Sequence, residues 1–169
     1  IAESSLQLIE LPRLSRAIVH DHLLARGSIP GELGDDEDLA GFLYLAGPFG
    51  RIFVNHDDPV PRRRFTAAHE LGHFLLHRDL MKGSVSFGDS PAMVVEVEDD
   101  ALAAMERQAN RFAAELLMPA EICRARAEAF RNAYRACPRT PFAYHLAGEL
   151  LVSPEAMRYR LKDLGVADE

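Results

Sequence analysis

The residues His69, Glu70 and His73 spell H-E-x-x-H inside the run Arg64-Phe65-Thr66-Ala67-Ala68-His69-Glu70-Leu71-Gly72-His73-Phe74-Leu75-Leu76-His77. Phe65, Leu71, Phe74 and Leu75 flank the motif, so the segment reads as a core-forming helix. Residues four apart on a helix are separated by about 40° around the axis, which puts His69 and His73 on one face. Two imidazoles so placed can grip one zinc ion. Glu70, about 100° from His69, then reaches a water on that ion without ligating. This limits what the chain can fold into. A catalytic zinc takes three protein ligands and keeps one position open, so a second element must pack against this helix and bring the third. Gly72 within the motif costs roughly 1 kcal/mol of helix propensity, which makes sense where that element comes close. His77 extends the histidine stripe but lies about 12 Å from His69 along the axis, too far to share one tetrahedral ion. It is expected behind the ligands or at the surface.

The third ligand is sought on the segment Asp99–Met118, where Leu102, Met105, Ala109, Phe112, Ala113, Leu116 and Leu117 recur at helical spacing. It offers Glu106 and Glu115, which are about 180° apart around the axis, so only one can face the site. Glu106 shares a stripe with Asn110, Ala113 and Leu117, and the small Ala109 and Ala113 permit close approach of the His69 helix. Glu106 is therefore the expected ligand, with Glu115 next in line. Asn110, one turn on, is placed to orient Glu106 or a ligand imidazole.

Elsewhere, Ser15–Arg26 reads as a helix stopped by Gly27 and Pro30. Gly41–Leu45 and Arg51–Asn55 read as strands of a hairpin turning at Gly47-Pro48-Phe49-Gly50. Thr66 is the expected N-cap of the motif helix. Lys82–Pro91 is rich in Gly and Ser and reads as a loop, and Ala92–Val97 as a further strand. Helices are expected over Pro119–Tyr134, Phe142–Leu151 and Pro154–Leu164. The expected architecture is α+β, mostly helical with a small antiparallel sheet. Residues 1–122 would form the metal-bearing domain and 123–169 a helical subdomain.

The two motifs, Arg64 to His73 and Glu106-Arg107-Gln108-Ala109-Asn110-Arg111-Phe112-Ala113-Ala114-Glu115-Leu116-Leu117-Met118-Pro119, resemble those of the ImmA/IrrE family of bacterial and phage metallopeptidases. Gly50-Arg51-Ile52-Phe53-Val54-Asn55 is similar to the strand before the motif helix in that family. The resemblance implies a zincin-like α+β fold, zinc on His69, His73 and Glu106, and Glu70 as general base. It also implies cleavage of a partner helix-turn-helix repressor, relieving repression. Manganese is an alternative to zinc. His77, Arg64 and Tyr44 are the candidate oxyanion donors. An extended substrate would add to the edge of the hairpin sheet.

Composition bounds the partners. Net charge is −7, yet residues 124–162 carry eight Arg/Lys and three acids, a local +5 that leaves −12 for the rest. Leu146–Gly165 has helix-turn-helix grammar, with Arg158, Arg160 and Lys162 expected on its second helix. DNA binding is the disfavoured reading of this pair, because phosphate neutralisation needs a concentrated basic face and the chain is acidic overall. No apolar run is long enough to span a membrane. No leader pattern opens the sequence, which starts at Ile1, and Cys123 and Cys137 make no C-x-x-C pair, so a cytoplasmic protein with reduced thiols is expected. The competing class is a metal-stabilised regulator that binds a repressor without cutting it.

Overall fold

The structure, a computed structural model, describes residues 5–30, 33, 36–80, 86–88, 99–133 and 142–166. Its first element is a strand, β1 (Leu6–Leu11), followed by helix α1 (Arg16–Leu24). Ser15 caps α1, its hydroxyl accepting from the Ile18 N–H at 3.4 Å. Strands β2 (Gly41–Ala46) and β3 (Phe49–Asn55) form the expected hairpin. Its turn is the pair Gly47-Pro48, shorter than expected, and Gly47 takes the φ of +61° that such a turn needs.

The sheet has the order β1-β3-β2-β4, where β4 is Ser86–Gly88. It is mixed rather than antiparallel: β1 runs parallel to β3, with Leu6 opposite Gly50. α1 leads from β1 into β2, which runs opposite to β1, and the hairpin then turns β3 back parallel to β1. Both outer edges of the hairpin are therefore already paired, β3 by β1 and β2 by β4, so no substrate strand can add to the hairpin directly. Ser86–Gly88 is a strand where a loop was expected. The strand expected at Ala92–Val97 lies outside the described residues.

Strand alternation divides the side chains between two faces. Phe42, Tyr44 and Phe53 join Leu14, Val19 and Leu23 under α1. Leu43, Ile52 and Val54 meet Phe74 and Met105 on the other face. That second face is covered by α2 (Val60–His77), which packs against α3 (Asp99–Leu117). α2 begins earlier than expected. Thr66 is a buried interior residue rather than its N-cap, and Pro59 holds that position with no side-chain cap. Pro61 is tolerated because first-turn N–H groups have no helical partner. Phe74 is buried as its apolar character predicts, whereas Leu75 is 55% exposed.

Helices α4 (Ala120–Ala133), α5 (Phe142–Leu150) and α6 (Pro154–Asp163) close a third core around Met118, Cys123, Leu146 and Met157. Cys123 is a buried free thiol, and Cys137 lies outside the described residues. No described helix is long and apolar enough to cross a membrane.

Two cations tie this third unit to the rest. Arg64 on α2 donates to the Leu150 carbonyl at 3.0 Å. Arg160 on α6, only 5% exposed, donates to the Met118 carbonyl at 3.0 Å and pairs with Glu115. Arg160 thus points inward, contrary to the expectation that α6 presents it on its surface with Arg158 and Lys162, because the carbonyls at the end of α3 need donors. Arg158 lies over the Tyr144 ring, 4.9 Å from its centroid.

Candidate metal centre

The sequence of α2 places His69, Glu70, His73 and His77 on its buried side, and the backbones of α2 and α3 meet closely there. A Cβ added at Gly72 would lie 3.1 Å from Ala109 Cα and 3.3 Å from its carbonyl oxygen. This is the close approach that the glycine and the small Ala109 predict. With the helices at that separation, Glu106 on α3 reaches across to both motif imidazoles.

Glu106 Oε2 lies 3.2 Å from His69 Nε2, and Oε1 lies 3.1 Å from His73 Nε2. The two Nε2 atoms are 3.0 Å apart. These four atoms from three residues surround one point closely enough for an ion bonded at about 2 Å, the length of zinc bonds to imidazole and carboxylate, to be shared among them. Among the described residues, these three form the one group of His, Cys, Asp or Glu close enough to share an ion.

The other ring nitrogens set the tautomers. Asn110 Oδ1 is 3.1 Å from His69 Nδ1 and can only accept there, so the proton sits on Nδ1 and Nε2 is left bare. His73 is held through two groups. Gln108 Oε1 lies 2.9 Å from His77 Nε2, and His77 Nδ1 lies 3.1 Å from His73 Nδ1. Gln108 accepts from His77 Nε2–H, so His77 Nδ1 accepts from His73 Nδ1–H, and His73 Nε2 is bare as well. Two imidazole lone pairs and a carboxylate then converge on one point, a donor set suited to a divalent cation. His77 lies behind His73, away from Glu106, and is buried rather than at the surface.

The electrostatics agree. Burial is the largest influence on His73 and lowers its pKa, outweighing the opposing pull of Glu106, so the neutral ligating form is favoured. The two histidines beside it hold the Glu106 carboxyl far below the usual carboxylate range, and Glu106 stays ionised.

Glu70 is 1% exposed and turns toward the sheet, where a Cβ at Gly41 would come within 3.2 Å of its Oε1 and 2.2 Å of Thr66 Cγ2. Gly41 is thus a site residue that the sequence reading missed. Its only signal is a glycine opening a strand opposite the motif helix. Gln108 was also missed, and spacing alone could not reveal it, because it acts through His77. Glu115, the alternative ligand, is instead engaged by Arg160. Of the three oxyanion candidates, Tyr44 lies on the α1 face of the sheet, Arg64 is bonded to Leu150, and His77 is enclosed between His73 and Gln108. None of the three is directed at the converging donors.

A comparison with curated proteins found no match. The family model Peptidase_M78, the IrrE N-terminal-like domain, matches residues 32–162 and takes in every residue of the cluster. On that match, which spans most of the chain and both halves of the donor set, the protein belongs to the IrrE N-terminal-like family of M78 peptidases.

Proposed function

We propose that the chain is a zinc-dependent endopeptidase that cuts a helix-turn-helix transcriptional repressor and so relieves repression. The observation that carries the peptidase reading is the convergence of His69 Nε2, His73 Nε2 and the Glu106 carboxylate beside a buried Glu70. A divalent ion held there, zinc by its donor set and manganese as the alternative, supplies Lewis acidity and lowers the pKa of water toward about 7. Glu70 takes the proton of the attacking water and hands it to the departing amine. Asn110 and the His77–Gln108 pair keep the Nδ1 protons in place, so neither ligand ring can turn. Gly41 lets Glu70 lie against β2 without a side chain between them.

Because the hairpin edges are occupied, an extended substrate is placed on the outer edge of β4, which pairs with no other strand among the described residues. That strand pairs Gly88 with Phe42, next to Gly41 and hence next to Glu70. Support for a repressor as substrate is the family resemblance. Direct DNA binding is not part of the proposal, since Arg160 and Arg158 are both engaged within the chain.

The test uses Glu70→Gln protein as bait in lysate of its source cells. A retained small helix-turn-helix repressor that wild type shortens is the expected result. A retained partner that wild type never shortens would point to sequestration instead. Cellular function surviving Glu70→Gln would also defeat the peptidase reading.

A further inference from the structure

A groove of about 770 Å³ lies between α2, α3 and α6 and adjoins the metal centre through Asn110, which forms part of its wall. Phe65, Ala114, Met118, Ala156 and Tyr159 supply much of the remaining wall. It is a built feature rather than a dent between loose helices. Arg64 pins α2 to the end of α5, and Arg160 pins α6 to the end of α3, so its walls are tethered to one another. Tyr159 stands 68% exposed at its mouth.

We propose that this groove seats a bulky apolar side chain of the polypeptide substrate, together with a short stretch of its backbone. As a substrate subsite it rests on the peptidase reading above. Position argues for a peptide occupant. Phe65 precedes His69 by one turn and Asn110 follows Glu106 by one turn, each about 6 Å along its helix. Extended chain advances about 3.3 Å per residue. A side chain roughly two to three residues from the scissile bond therefore falls into the groove. Size agrees: a site in the range of about 300–1,000 Å³ holds more than one side chain and suits a segment with an apolar anchor. The sheet edge recognises only backbone, so the groove would supply sequence preference.

The test uses the full chain with zinc and a random dodecamer peptide library. Glu70→Gln protein should select peptides carrying Leu, Phe, Tyr or Trp. Adding Tyr159→Ala, an exposed position, or Ala114→Phe, which fills the groove, should weaken binding about tenfold and erase that preference. Wild type should cut the selected peptides two to three residues from the apolar position. Groove-dependent selection without any cutting would sustain the groove and overturn the peptidase reading. Cutting with a preference unchanged in both variants would overturn the groove and leave the peptidase intact. A groove that binds an apolar dye but selects no peptide would overturn the peptide occupant.

Discussion

Arg160 and the pair His69 and His73 are both ionisable groups taken out of water, and the molecule treats them in opposite ways. Arg160 meets acceptors: the Met118 carbonyl, Glu115 and Asp163 surround its guanidinium. The two imidazoles have each given one nitrogen to a fixed partner, and their remaining lone pairs face each other and a carboxylate. The first arrangement is complete within the chain. The second converges on one point that a divalent cation from outside would fill. Burial alone does not separate structural from functional polar groups; what separates them is whether the donors and acceptors around the group balance.

The largest expected effect breaks the incomplete side. Glu106→Gln should weaken zinc binding on the order of 1,000-fold by isothermal titration. An unchanged affinity would remove Glu106 from the ligand set. Arg160→Ala breaks the complete side. It should cost about 2 kcal/mol in urea unfolding, a buried-pair loss discounted because Glu115 is itself half-exposed, and should leave zinc affinity unchanged. Asn110→Ala frees the His69 ring and should lower zinc affinity about 10- to 100-fold with little change in stability. Gln108→Ala acts one residue further away, through His77, and should do less. Gly72→Ala is the mildest. Its helix-propensity gain opposes a forced separation of α2 from α3, for a net loss of about 1 kcal/mol and a measurable drop in zinc affinity.

Acidity sharpens the same contrast. His73 has a folded pKa below its ordinary 6.5, so its contribution to stability is present above pH 6.5 and is lost as pH falls below it. Glu106, depressed from 4.5, adds a second loss below that pH. Metal-free protein should therefore begin to lose unfolding free energy below pH 6.5. His73→Gln should lack that first phase, and Arg160→Ala should keep it.

What the sequence disclosed follows from the range of the forces involved. The cluster of His69, His73 and Glu106 is readable because helix geometry is local: spacing put His69 beside His73, and the small-residue face of α3 chose Glu106 over Glu115. Gly72 and Ala109 gave away the helix contact by their size. Strand β1 was not read, because its pairing partner lies more than forty residues away and only tertiary structure specifies it. Pro59 and Pro61 looked like punctuation before the helix, yet a first turn has no use for their missing N–H groups, so the helix starts among them. Tyr44 could have been excluded by alternation with Gly41 and Leu43. The inward turn of Arg160 had no local signal, since charge patterning does not tell a solvated arginine from one that caps a neighbouring helix.

The contact between Gly72 and Ala109 sets more than a packing distance. Main chain comes close to main chain there, with the Phe112 ring packed alongside. The size of ion that His69, His73 and Glu106 could hold would therefore depend on this backbone approach as well as on ligand identity. Calcium, which wants oxygen ligands at about 2.3–2.6 Å, would have to push two helices apart to enter. Retuning this protein to a larger ion would begin at residues 72 and 109 and leave the histidines untouched.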